Sequence, residues 1–233
     1  MNSLTVIHQP DFASYLGFFQ RFLHADLYIV LDHVQFVQGT SRSWTHRDKI
    51  KTAQGERWLT LGIKKPGLGT AINMVELADD DGWKDRNLDL LRENYRHAPG
   101  FSEAFPEIAR LYEPSPRYMA DFCLHFMNGI LDLLGMKIEQ VRSSTLTPTA
   151  SKNELLIELL QKVGSTRYLS GLGARDYMRP ELFEEAGIEV VWQNFTHPTY
   201  PQQFGDFIPY LSILDTLLNC GIAGTRDLLW SCK

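Results

Sequence analysis

Two short apolar runs, Leu4-Thr-Val-Ile7 and Leu27-Tyr-Ile-Val-Leu31, flank a segment whose bulky residues Tyr15, Phe18, Phe19 and Phe22 fall at helical spacing. The first run is closed by His8-Gln9-Pro10, since proline has no amide hydrogen to give a neighbouring strand. A strand, a short helix and a second strand so close together form a βαβ unit, and its two strands have to run parallel. No other feature narrows the possible folds as much. In such units the functional loops lie at the C-terminal ends of the strands. Here those ends are His8-Gln9-Pro10 and Asp32-His33-Val34-Gln35.

The rest of the chain keeps alternating. Trp58–Leu61 and Ile72–Leu77 read as two further strands around the turn Lys65-Pro-Gly-Leu-Gly69. Trp83, Asn87, Leu88, Leu91 and Tyr95 form one helical stripe, stopped by Pro99-Gly100, and a second helix runs from Arg117 to Leu134 before Gly135. A strand is expected near Ile138–Val141. Ser151-Lys-Asn-Glu154 then has the form of a capping box before Leu155–Val163 and Gly164. Arg167–Ser170 and Ile188–Trp192 read as the last strands, with Pro180 opening a short helix between them. The final helix is expected over Leu211–Cys220, with Ser212 to Asp215 as its cap. This order predicts an α/β fold: a mainly parallel, Rossmann-like sheet flanked by helices. It predicts one domain over residues 1–233, with residues 83–135 as a helical subdomain or cap.

Composition excludes several classes. The net charge of −5 and 44% hydrophobic content fit neither a disordered nor a fibrous chain. No apolar run approaches the roughly eighteen residues of a membrane span, and the N-terminus lacks the pattern of a signal peptide. Three cysteines without CxxC spacing argue against a disulfide scaffold and a cysteine zinc site. A reduced, cytoplasmic protein is expected. The charge is unevenly spread: seven Lys/Arg and two acids between Arg42 and Lys65 give that segment +5, leaving −10 elsewhere. A basic stretch in an acidic protein fits an anionic small molecule better than nucleic acid.

Three clusters carry the candidate chemistry. The first is His8 and Gln9 with Tyr15 and Gly17, where a helix start offers free amides to a phosphate or carboxylate. Asp32 and Gln35 are expected beside it, the acid binding an amine, holding a metal-bound triphosphate or orienting His8. The second is the basic segment, with Arg47 and Lys49 as anion contacts and His46 at the surface. The third is Ser170-Gly171-Leu-Gly-Ala-Arg175-Asp176, a backbone-exposing loop with a hydroxyl and a cation. Ser170 lacks a G-x-S-x-G elbow and is not read as a hydrolase nucleophile. His197, in a rigid aromatic and proline-rich loop, either lines the pocket or packs. No P-loop, G-x-G-x-x-G or H-E-x-x-H pattern occurs, so no dedicated metal site is expected, although magnesium would accompany a nucleotide.

Several ordered blocks resemble the WbqC-like family: His8-Gln-Pro-Asp-Phe, Tyr15-Leu-Gly-Phe-Phe, Ile29-Val-Leu-Asp-His-Val-Gln-Phe36 and Arg47-Asp-Lys-Ile-Lys51. Trp58-Leu-Thr-Leu, Tyr168-Leu-Ser-Gly, Asp176-Tyr, His197-Pro-Thr-Tyr-Pro-Gln202 and Leu211-Ser-Ile-Leu-Asp continue it through nearly the whole chain. The chain departs from the family pattern at Ala13-Ser14, Thr45-His46 and Gly62, the middle change bearing on substrate choice. The resemblance implies a place in surface-polysaccharide and O-antigen clusters and a glycine or other aminoacyl transferase role. In architecture alone, the chain is also similar to HIGH-type nucleotidylyltransferases and pantothenate synthetases.

The resulting expectation is a small acyl or aminoacyl group passed to an amino sugar or related amine, by way of an acyl-adenylate if ATP with Mg2+ is used. In that scheme His8 and the helix start steady phosphate charge, Arg47, Lys49 and Arg175 clamp anions, and Asp32 serves the amine. The partners are then an anionic small molecule and an amine, with a homodimer as a further option. Two other classes compete: an ATP-independent lyase or cyclase acting on an amino acid, and a nucleotide-sugar-binding accessory protein without turnover.

Overall fold

A computed structural model of the chain describes residues 3–37 and 44–232, so Arg42 of the basic segment lies outside the described residues. Strand β1 (Leu4–His8), helix α1 (Leu16–Gln20) and strand β2 (Leu27–Val30) form the expected parallel βαβ unit, with Val6 opposite Tyr28 and His8 opposite Val30. Strands β5 (Glu139–Arg142), β6 (Arg167–Ser170) and β7 (Glu189–Trp192) complete a five-stranded sheet in the order β5-β2-β1-β6-β7. Every pairing in it is parallel. The chain has a mixed α/β, Rossmann-like fold.

Strand alternation divides the sheet into two buried faces. Leu4, Val6, Tyr28 and Val30 turn to the larger core, and Ile7, Ile29 and Tyr168 to a smaller one. The smaller core is closed by Leu155, Leu159 and Leu160 of α5 (Lys152–Lys162) and Phe183 of α6 (Pro180–Glu185), which Pro180 opens as expected. The larger core takes α1 together with α2 (Gly82–Tyr95), α3 (Phe101–Leu111), α4 (Met119–Leu133) and α7 (Ile213–Ser231). Its centre is aromatic, with Phe12 against Phe126 at 5.0 Å and Trp83 against Phe122 at 5.2 Å between centroids.

Four local expectations are corrected. The basic segment is itself a strand: β3 (Arg47–Thr52) pairs antiparallel with β4 (Gly55–Thr60). Ile72–Leu77, expected as the partner of β4, is a short 3-10 turn at Ile72–Met74 tied down by single bridges. Ser151 makes no capping bond, and Glu158 instead accepts from the amides of Thr149 (2.9 Å) and Ala150 (2.8 Å). Helix α3 adds an element between the two helices expected within residues 83–135, and it holds Pro106 inside it.

The last helix also runs beyond Cys220. It bends at Gly221, whose φ of 73° is easy only for glycine, and continues to Ser231. Gly100 packs against that bend, since a Cβ on it would lie 2.3 Å from the Gly221 nitrogen. The Glu103 carboxylate accepts from the Ile222 amide at 3.1 Å, capping the second half of the helix. Among the described residues, no helix is long and apolar enough to cross a membrane.

Candidate functional site

From β1 the chain builds β2 and β5 on one side and β6 and β7 on the other. The point where the order reverses is where open parallel sheets leave a crevice, beyond the C-terminal ends of the strands. A cleft of about 1000 Å3 lies there, and His8 from the end of β1 and Ser170 from the end of β6 both line it. The same wall carries Asp11, Arg21, Asp48 and Gln193.

His8 donates from Nδ1 to the Gln9 carbonyl at 3.0 Å, which leaves Nε2 with its lone pair. Its ring stands edge-on to Phe18 at 5.1 Å. Burial, and then the Arg21 charge, push it down to about 3. With 31% of the side chain still facing out, the direction is what matters: His8 is neutral at neutral pH.

Asp11 follows in the turn after Pro10, its amide donating to the Gln9 carbonyl at 2.9 Å. Burial raises it to about 7 against the opposing pull of the Thr45 hydroxyl and the Arg21 charge. Its Oδ2 lies 3.6 Å from His8 Nδ1, and because His8 is neutral this is no ion pair. Asp11 Oδ1 is buried without a hydrogen bond among the described residues. Asp48 is held well above the carboxylate range by burial and by the nearby Asp11, although the Lys49 amide donates to it at 2.7 Å.

Arg21 enters the same wall from the turn that ends α1. It is 6% exposed, its Nε is buried without a partner, and no hydrogen bond or ion pair joins its guanidinium to the described residues. Its guanidinium sits 5.4 Å from the Phe18 ring. Gln193 fixes the backbone beside it, donating to the Gly17 carbonyl and the Gln20 side chain, each at 2.7 Å.

Of the residues expected from sequence, His8, Tyr15, Ser170, Gly171 and Asp176 line the cleft. Asp32 does not. It is fully buried at the end of β2, where Oδ1 accepts from the Ser143 hydroxyl (3.1 Å) and the Ser144 amide (2.9 Å), and Oδ2 from the Ser144 hydroxyl (2.9 Å). Gln35 is exposed and bridges Ala71. Arg47 lies over the Trp58 ring at 4.3 Å, and Lys49 pairs with Glu56 at 3.0 Å. Arg175 covers Trp192 at 5.1 Å. Gln9 shapes the loop, accepting from the Thr45 hydroxyl at 2.9 Å.

Gly17 serves close packing: a Cβ there would lie 2.4 Å from the Tyr15 ring and 2.7 Å from Phe195. Helix α1 is also only five residues long, too short to present an anion site at its start. His197 packs among Phe195, Tyr200, Phe207 and Tyr210. His46, expected at the surface, is partly buried against Phe36 and pushed down to about 4, by burial and then by Arg47.

Ser212 caps α7 by accepting from the Leu214 amide at 3.2 Å, as expected. Asp215 has another role. It is fully buried and accepts from Tyr95 (2.5 Å), Tyr200 (2.7 Å) and Gln202 (3.0 Å). That knot ties the loop between β7 and α7 to the rest of the fold and so sets Phe195 and Tyr210 in the cleft wall.

The sequence reading missed Asp11, Arg21, Asp48 and Gln193. Two of them leave a trace. Asp11 stands within His8-Gln-Pro-Asp, and Arg21 is a lone cation in the apolar helix Leu16-Gly-Phe-Phe-Gln-Arg-Phe-Leu23. Asp48 and Gln193 carry no local sign. Among the described residues, no group of three or more His, Cys, Asp or Glu is placed to hold a metal.

Comparison with known proteins bears on this geometry. The model of the WbqC-like protein family matches residues 9–227. The chain is 31% identical over 229 residues to the uncharacterized protein Rv1507c of Mycobacterium tuberculosis, covering 97% of each. No solved structure matches.

Proposed function

The chain belongs to the WbqC-like protein family, and from that premise we propose that it is a cytoplasmic enzyme of surface-polysaccharide assembly that transfers a small acyl or aminoacyl group to an amino-sugar nitrogen. The observation that carries this reading is Asp11, a buried carboxyl brought to about 7 beside a neutral His8 in a cleft of substrate size. A group with that pKa takes a proton readily at neutral pH. In the reaction the amine lone pair attacks the acyl carbon and the new C–N bond forms. The bond to the leaving group breaks and its electron pair departs with it. Asp11 removes the proton that the attacking nitrogen must lose. Asp11 thus takes the role that Asp32 was expected to fill.

The residues expected to hold ATP do not fit that group. Gly17 is covered by rings, Arg47 is stacked on Trp58 and Lys49 is paired with Glu56. No step is therefore assigned to a nucleotide. That same observation favours, as a second reading, the ATP-independent lyase or cyclase using Asp11 and His8.

The test is an assay of candidate acyl donors and amino-sugar acceptors, with and without ATP and magnesium. Asp11→Asn should lower turnover by about a hundredfold or more, and the wild-type rate should rise with pH through about 7. Wild-type turnover in Asp11→Asn would sink the reading. Product formed from a single amino acid, with no acceptor present, would establish the second one.

A further inference from the structure

Arg21 poses a physical problem that the proton chemistry does not use. A guanidinium stays charged at every accessible pH, and a buried charge is costly unless it is paired and hydrogen-bonded. Arg21 is 6% exposed, yet it has no anionic partner within ion-pair distance among the described residues. The stretches outside the described residues, 1–2, 38–43 and 233, contain no acidic side chain in their sequence. Asp11 feels the Arg21 charge, but its own carboxyl is pushed up to about 7 by burial and so carries only part of a negative charge at neutral pH. His8 is neutral.

Arg21 reaches the cleft despite its burial. Arg21 lines the cleft with Ser170, and its Cζ would lie 3.9 Å from a Cβ placed on Gly171, so the bare glycine keeps that approach clear. The outer part of the cleft is different in chemistry. Trp44 (39% exposed), Tyr177 (68%) and Tyr210 (56%) line it while remaining accessible, a rim of flat faces suited to a sugar or base.

We propose that Arg21, with Ser170 and the open Gly171 backbone, is the anion subsite of this cleft, and that the ligand is a phosphate or carboxylate carried on a ring that lies against Trp44, Tyr177 and Tyr210. The inference rests on the cleft being the substrate site of the proposed transfer, and it names the class of substrate. It moves the anion contact from the basic hairpin, where the charge count placed it, to one buried arginine. A guanidinium offers two parallel N–H groups to either kind of anion.

Calorimetric titration with inorganic phosphate, a hexose 1-phosphate and adenosine monophosphate tests it on wild type, Arg21→Gln, Gly171→Val and Arg47→Ala. Wild type should bind the two ring-bearing phosphates more tightly than inorganic phosphate, and the tighter of the two identifies the ring as sugar or base. Arg21→Gln should weaken all three by about tenfold or more. Gly171→Val leaves Arg21 in place but covers it with methyl groups, so it should do the same if Arg21→Gln does not fold. Arg47→Ala should bind inorganic phosphate as wild type does.

Unchanged phosphate affinity in Arg21→Gln or Gly171→Val, loss in Arg47→Ala, or no binding of any probe by wild type would overturn the subsite. The transfer reading fails separately. Phosphate bound through Arg21, with no acyl transfer from any donor, leaves the subsite standing. Transfer by Arg21→Gln at the wild-type KM leaves the transfer standing and removes the subsite.

Discussion

Asp11 and His8 are displaced in opposite directions by the same burial, because desolvation disfavours whichever form is charged. Asp11 rises from 3.8 to about 7, and His8 falls from 6.5 to about 3. A raised carboxyl contributes stability that is complete below 3.8 and is lost as pH rises through about 7. A depressed imidazole contributes stability that is complete above 6.5 and is lost as pH falls through about 3. Asp11→Asn removes only the first of these effects. In urea denaturation the variant should be more stable than the parent at pH 8, by roughly 2–4 kcal/mol, and should lose that margin near pH 4. A margin equal at both pH values would mean that Asp11 is not held protonated by the fold. His8 and Ser170 both line the cleft, where the C-terminal strand ends of a parallel sheet point. Asp32 looked equally good by that rule. What separates it from Asp11 is Ser143 and Ser144, which are more than a hundred positions away and consume both of its oxygens.

Elements were legible where their apolar spacing was long and regular. The helix at Trp83–Tyr95 and strand β6 are of this kind. The hairpin was not, because β3 reads Arg-Asp-Lys-Ile-Lys-Thr and has Ile50 as its only apolar residue. Its alternation is real: Asp48 and Ile50 turn inward, while Arg47 and Lys49 stack on the Trp58 ring at 4.3 and 5.2 Å. A cation over a half-buried tryptophan near the surface is a stabilising contact of about 0.5–1 kcal/mol, so the basic residues Arg47 and Lys49 mark a strand face. The junction of α3 and α7 depends on two glycines meeting. Gly100→Ala would drive a methyl group into the backbone at Gly221 and the Leu217 carbonyl at 2.6 Å, where no side chain can swing aside. Thermal or urea unfolding should show a loss of about 3 kcal/mol or more. A loss under about 0.5 kcal/mol, typical of an unconstrained surface site, would mean that the two helices separate freely.

At the scale of the whole molecule, the site is a consequence of strand order. The cleft opens between β1 and β6 because the sheet reverses there, and the β2 end is closed over by the turn at Ser143–Leu146. Hydrogen exchange should therefore show phosphate or a sugar phosphate protecting amides of residues 11–14 and 171–176, with residues 32–35 unchanged. Protection confined to 32–35 would place the site at the β2 end instead. The sequence by itself determined the parallel βαβ unit, the α/β class and the family, because these follow from local periodicity and ordered motifs. It also suggested that the protein handles an anion. Only the tertiary structure decided which strand ends face one another and which arginine is enclosed. Burial is a property of the assembled chain: Arg21 loses its water because β6, β7 and the aromatic loop after them close around α1, and none of those contacts is encoded near residue 21.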